Sequence, residues 1–311
     1  MGSGAKCRRN GVAANDIRME KALRNRLTYG PLMLLGLFLL LWLDSYVQRQ
    51  TGRGGVGVVL LLLLILPLAM EELATLFAAE HVRPYRIVSM LGSGCLVLHA
   101  FATQFKHFQP IAASTLAFII VFVMLLAALG RAARKQSQEA ITRMAGTLLS
   151  TLYLGGLAWF LVALRVKNLA DRTGRPHFVG STWVILMILL VVKFTDIGAY
   201  FGGRALGRHK LILWLSPGKT WEGLICGMIT AGFVGMACAP RVANLSHGKA
   251  FVFGVIIGGV GQLGDLLESL MKRDADVKDS GRLIPGFGGV LDVIDSPLFA
   301  APFAYLLFSL V

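Results

Sequence analysis

Seven acidic residues, four basic ones and six glycines crowd into residues 261–295, GQLGDLLESLMKRDADVKDSGRLIPGFGGVLDVID, in an otherwise apolar chain. Asp292 and Asp295 are three apart at what reads as the start of a helix, which sets both on one face. Asp265 stands near the end of the preceding apolar run, and these three carboxylates have the character of metal ligands. Lys272, Arg273, Lys278 and Arg282 supply the positive charge that a polyphosphate needs. Pro285, Gly286, Gly288 and Gly289 make a turn whose backbone N–H groups can approach an anion closely. Together these suit phosphates bridged by Mg²⁺. A solvated loop followed by a helix cap has much the same composition, and Asp-x-x-Asp alone does not separate the two.

A second polar stretch, VVKFTDIGAYFGGRALGRHKL, places Lys193 and Asp196 three apart, either as a pair on one helix face or with Asp196 at the membrane interface. The LSPGKTWEG that follows contains GKT, but the glycine that a Walker A loop needs five residues before Gly218 is Leu213, and no strand is expected ahead of it.

The elements that must position these residues are membrane helices. Of 311 residues, 55% are hydrophobic and 15% charged, and the mean hydropathy is +0.67, far outside the soluble globular range. Apolar runs recur at 29–47, 56–79, 87–102, 110–130, 145–164, 180–202, 221–240, 250–271 and 296–311, each near the ~20 residues that a bilayer core requires. The expectation is an all-α polytopic integral membrane protein of about nine spans. It is divided into a basic arm (1–28), N-terminal helices (29–170) and a C-terminal region (180–311) with polar loops at 203–220 and 272–295.

The net charge of +14 speaks to topology before nucleic acid. With the N-terminus inside, 21 of the 31 Lys/Arg fall in cytoplasmic segments and 9 outside, the loop from Arg165 to Arg175 being the exception. The basic arm suits anionic lipid, and the first apolar run has no small-residue cleavage site before Asp44 and Gln48, so it reads as a retained span. Cys7, Cys95, Cys226 and Cys238 are scattered, with no metal or disulfide spacing. Glu71 and Glu72 end the second run and either find partners or snorkel. Small-residue stripes, Gly223/Gly227/Ala231/Gly235 and Gly254/Gly258/Gly261/Gly264, mark faces for close packing. No internal repeat of a transporter is evident.

The 261–295 segment resembles the signature of CDP-diacylglycerol synthases, matching at Ser269, Lys272, Arg273, Lys278, Asp279, Ser280, Gly281, Pro285, Gly286, Gly288, Gly289, Asp292 and Asp295. Asp196, Gly198, Ala199, Tyr200, Gly207, His209, Lys210 and Leu211 are similar to a second family segment, and Ser216, Pro217, Lys219, Thr220, Trp221, Glu222 and Gly223 to a third. Phe287 and Val293 depart from the pattern, standing where the family has His and Arg.

The resemblance implies a phosphatidate cytidylyltransferase that joins CTP and phosphatidate. Asp265, Asp292 and Asp295, with Asp196 as a fourth, would be the metal ligands. Lys272 and Arg273 would act in catalysis, and Ser216, Lys219, Lys278, Asp279, Arg282, Gly288 and Gly289 in substrate binding. It further implies Mg²⁺ with K⁺ as a second ion, a homodimer, no nucleic acid, and a bacterial inner membrane with the loops on the cytoplasmic side. A related CTP-dependent transferase acting on another lipid phosphate or a polyprenol, a catalytically impaired paralogue, and a transporter using Lys193 and Asp196 are the alternatives.

Overall fold

The computed structural model describes residues 28–133, 135, 138–167, 180–242, 245–277, 279–281 and 283–310. The basic arm, Lys278 and Arg282 therefore lie outside the described residues. Each apolar run is a helix: α1 (Thr28–Thr51), α2 (Val56–Ala79), α3 (Arg86–Ala102), α4 (Ala112–Ala132), α5 (Ala140–Val166), α6 (Gly180–Leu206), α7 (Trp221–Cys238), α8 (His247–Asp274) and α9 (Leu291–Leu307). Among the described residues, seven helical segments are long and apolar enough to cross a membrane, because in hydrocarbon only a helix satisfies every backbone group internally. The protein is an integral membrane protein. α9 begins at Leu291, before the apolar run proper, and so draws Asp292 and Asp295 into its first two turns.

α6, α7, α8 and α9 form the most tightly packed unit, and the glycine stripes are the reason. A Cβ on Gly223 would lie 2.7 Å from the Ala199 carbonyl oxygen of α6, and one on Gly227 2.7 Å from that of Thr195. Gly235 and Gly254 meet across the α7–α8 contact, each against the other helix's backbone, and a Cβ on Gly264 would lie 2.7 Å from Phe299 Cβ of α9. Both stripes are thus spent inside one chain.

One part of the 203–220 loop is not irregular. α6 runs on to Leu206, and β1 (Lys210–Ile212) then pairs antiparallel with β2 (Ser216–Thr220). A strand does therefore precede GKT, contrary to the sequence expectation. But SPGKT is itself the returning strand, so there is no loop to wrap a phosphate. Thr220 ends the hairpin as the cap of α7, its Oγ1 accepting Gly223 N–H at 3.1 Å.

The helices alternate in direction, and their two ends differ. At one end Arg165 of α5 and Asp44 of α1 form a fully buried ion pair at 2.7 Å. Asp44 also accepts the N–H groups of Gly55 (3.0 Å) and Gly57 (2.8 Å), and Arg165 donates to Gln48 (2.7 Å) and Ser181 (3.0 Å). At the other end lie the start of α1, the end of α2, the hairpin, the end of α8 and the start of α9.

Candidate active site

α8 carries Gln262, Asp265, Glu268 and Lys272 at spacings of three, three and four, which align them on one face. On that face the polar groups interlock in a row. Asp196 Oδ1 of α6 accepts from Gln262 Nε2 at 2.6 Å, and Gln262 Oε1 accepts from Lys219 Nζ of β2 at 3.1 Å. Lys219 is ion-paired with Asp265. Farther along, Lys272 Nζ lies 3.0 Å from Glu268 Oε2 and 2.8 Å from Asp292 Oδ1 of α9. Lys193 does not form the suggested ion pair with Asp196, whose hydrogen bond goes to Gln262 instead.

Asp292 does two jobs at the start of α9. Its Oδ2 accepts Gly289 N–H at 2.7 Å and Ser280 N–H at 3.2 Å, while Oδ1 holds Lys272. Gly286 and Gly288 have φ of +87° and +100°, a backbone that side chains resist. A Cβ on Gly288 would also strike Asp292 Oδ2. Two of the signature's glycines therefore exist to fold the turn onto this carboxylate.

Glu72 supplies a brace that sequence reasoning left open. Its carboxylate, 9% exposed at the end of α2, accepts Val290 N–H at 3.0 Å and Leu291 N–H at 2.8 Å. Ser280 Oγ donates to it at 3.3 Å. An anion at a helix N-terminus satisfies otherwise unpaired N–H groups and favours the helix dipole. Gly281 and Gly289 pack directly against Glu72, where any side chain would overlap the carboxylate. Its neighbour Glu71 pairs with Arg86 at 2.5 Å on the surface.

Asp265, Glu268 and Asp295 offer oxygens within 4.8 Å of one another. Glu268 and Asp295 are 1% and 2% exposed, and Glu268 Oε1 and Asp295 Oδ2 accept no hydrogen bond among the described residues. Of the expected ligand set, Asp265 and Asp295 thus converge, joined by Glu268. Asp292, one step away, is occupied by Lys272 and the turn, and Asp196 by Gln262. Arg273 points away, toward Val277 O at 3.4 Å, and Asp279 is exposed. Ser216, Gly218 and Lys219 of the hairpin line a cleft of about 400 Å³ that opens beside Asp265, Asp196 and Gln262. Phe287 packs at the start of α1, its ring 3.4 Å from where a Cβ on Gly30 would stand.

One end of this helix bundle thus gathers hard carboxylates, two lysines and a glycine turn, with Lys219 and Asp265 lining the cleft. The chain belongs to the cytidylyltransferase family, whose pattern matches residues 24–311. It is 34% identical over 251 residues to phosphatidate cytidylyltransferase of Bacillus subtilis, covering 79% of this chain and 88% of that protein. With phosphatidate cytidylyltransferase of Haemophilus influenzae it shares 46% identity over 149 residues, 46% of this chain and 51% of the relative. The uncharacterized protein YnbB of Escherichia coli is 38% identical over 157 residues, half of each chain. The chain spans about half the length of several of the curated relatives it matches.

Proposed function

We propose that the protein transfers the cytidylyl group of CTP to phosphatidate, giving CDP-diacylglycerol and pyrophosphate. The observation that carries this is the α8 face, where Lys219 and Lys272 alternate with Asp265, Glu268 and Asp292 beside the hairpin cleft. Family membership and the names of the B. subtilis and H. influenzae relatives support it. In the reaction a phosphate oxygen of phosphatidate forms a bond to the α-phosphorus of CTP. The bond from that phosphorus to its bridging oxygen breaks, and pyrophosphate leaves with the electron pair. Two polyanions must meet, so charge neutralisation carries much of the work.

The residues fit Mg²⁺. Their donors are all hard oxygens, two of the carboxylate oxygens are buried without partners, and the neighbouring carboxylates outnumber the lysines in contact with them. Asp265, Glu268 and Asp295 would hold the ion, which would supply Lewis acidity at phosphate oxygens. K⁺ as a second ion, and Asp292 and Asp196 as further ligands, rest on the resemblance.

Lys219 and Ser216 face the cleft and would bind the triphosphate, with Lys219 as a mobile point charge. Lys272, held by Glu268 and Asp292, would present its charge to the reacting phosphates. Arg273, Lys278, Asp279, Arg282, Gly288 and Gly289 remain substrate contacts by resemblance. The setting is a bacterial inner membrane with the site facing the cytoplasm, where CTP is, in a homodimer.

The test is pyrophosphate release by the purified protein in detergent with Mg²⁺, CTP and dioleoyl phosphatidate. Release that requires both substrates supports the proposal. Release with a polyprenyl phosphate but not phosphatidate, or none with either, overturns it.

A further inference from the structure

The hairpin ends in a tip that a water-facing turn would not have. The residues joining β1 to β2 are Leu213, Trp214 and Leu215, where turns ordinarily carry Gly, Asn, Asp, Pro or Ser. Leu215 is 5% exposed and packs inward, but Leu213 is 67% and Trp214 72% exposed. Exposed apolar groups are ordinary on helices that face lipid; clustered on a loop they mark a contact. The base of the hairpin is tied down, with His209 Nδ1 2.6 Å from Glu222 Oε1 and Lys219 bonded to Gln262 at 3.1 Å. The tip is therefore presented from a firm support.

Where it is presented follows from the cleft. Leu211, Ser216 and Gly218 of the hairpin line it together with Ala199 and Tyr200 of α6. α6 continues to Leu206, so those two residues stand roughly 9–10 Å back from its end at about 1.5 Å per residue. The hairpin is thus folded back alongside α6 rather than projecting away from it. Tyr200 is exposed and shares a helix face with Ile197, which with Phe194 and Phe201 makes an exposed apolar stripe. On a membrane-spanning helix such a stripe faces lipid, and the hairpin tip adds to the same surface.

Charge agrees with that placement. Arg204 near the end of α6, Arg208 after it and Lys210 at the start of β1 are all exposed, and none of the three pairs with a carboxylate among the described residues. A tryptophan and a leucine flanked by cations match the headgroup boundary of an anionic leaflet. We propose that the hairpin tip docks into the lipid leaflet beside α6, with Leu213 and Trp214 among the upper acyl chains and Arg204, Arg208 and Lys210 against the phosphates of anionic lipids. The same hairpin carries Ser216 and Lys219 in the cleft wall, so docking sets that wall at the level of the lipid phosphates.

The experiment takes the natural protein and Trp214→Phe in nanodiscs of phosphatidylcholine and phosphatidylglycerol. The difference between their tryptophan emissions is the signal of Trp214. Because Trp214 is exposed, the variant should melt with the natural protein. The Trp214 signal should be quenched by lipid brominated in the upper part of its chains and shielded from iodide in solution. At equal mole fraction, bromine carried by phosphatidylglycerol should quench at least about twofold more than bromine carried by phosphatidylcholine, since cations at the surface gather anionic lipid. A signal open to iodide and indifferent to brominated lipid puts the tip in water and overturns the proposal. A signal shielded from iodide yet indifferent to brominated lipid means a protein contact, such as a second copy of the chain, and overturns it too. Equal quenching by the two brominated lipids overturns the part given to the three cations. Should Trp214→Phe fail to fold, Leu213→Cys carrying a fluorophore, in a background freed of native cysteines, reads the same position: quenching by the brominated lipids supports docking, and its absence overturns it. No readout here uses catalysis, so the docking and the proposed reaction stand or fall separately.

Discussion

Glu268 and Glu72 show what a residue's neighbours add to its spacing. Glu268 sits three residues after Asp265 and four before Lys272, so the register that aligns the α8 face was readable from the sequence. What was not readable is that the helix end turns this face inward, leaving Glu268 1% exposed with one oxygen on Lys272 and the other free. Glu268→Gln keeps the shape and removes the charge, and should lower turnover roughly 100-fold or more, since even indirect supports of a metal site are worth about 10–100-fold. It should also raise the Mg²⁺ concentration needed for half-maximal rate; a variant with natural Mg²⁺ dependence removes Glu268 from the ligand set. Glu72 lay beyond sequence reasoning because its partners, Ser280, Val290 and Leu291, are more than 200 residues away. Glu72→Gln turns an NH₂ group toward backbone N–H donors that have no other acceptor. The expected cost is about 2–4 kcal/mol in unfolding free energy, read by denaturation in detergent, with turnover falling alongside because Asp292 and Asp295 hang from the same helix start. An unchanged midpoint would mean that α9 does not depend on this cap.

At the scale of elements, hydropathy located the helices because a bilayer leaves the backbone few choices. The glycine stripes were equally plain, but a stripe says that something comes close, not what. In the fold α7 is pressed between α6 and α8, and α8 between α7 and α9, so the helices bearing Lys193, Asp196, Asp265 and Asp295 are locked at backbone contact. The hairpin escaped notice because β1 spans only three residues and Pro217 and Gly218 sit in β2, residues that strands usually avoid. Close packing makes a graded prediction. Gly254→Val drives a branched side chain into the Ala231 carbonyl and should cost at least about 1–3 kcal/mol, seen as a lower melting temperature and a loss of the monodisperse peak in size exclusion. Gly248→Ala, on the same helix with open space around it, should behave like the natural protein. Equal behaviour of the two variants would show that α7 and α8 are not in backbone contact.

For the whole molecule, the two ends divide the labour. Contacts of Phe287 with Gly30, of Glu72 with Leu291 and of Lys219 with Asp265 gather the start of α1, the end of α2, the hairpin and the α8–α9 connection at one end. The Asp44–Arg165 pair, with Gln48 and Ser181, lies at the other. This accounts for part of the one loop that disturbed the charge rule, because Arg165 is fully buried and ion-paired rather than a free loop charge. It acts as an internal brace between α1 and α5, and Arg165→Met should cost about 3–5 kcal/mol by stranding the Asp44 charge, without moving the site's polar end across the membrane. With Arg165 set aside, the Lys/Arg bias is the argument for the proposed orientation, with the hairpin end inside. In a background freed of native cysteines, Lys210→Cys, exposed on the hairpin, should react with an impermeant maleimide only after the membrane is opened. Lys106→Cys, exposed between α3 and α4, should react in sealed cells. Reaction of the hairpin position in sealed cells would put the cleft on the side of the membrane that lacks CTP, and with it would fall the proposed substrate.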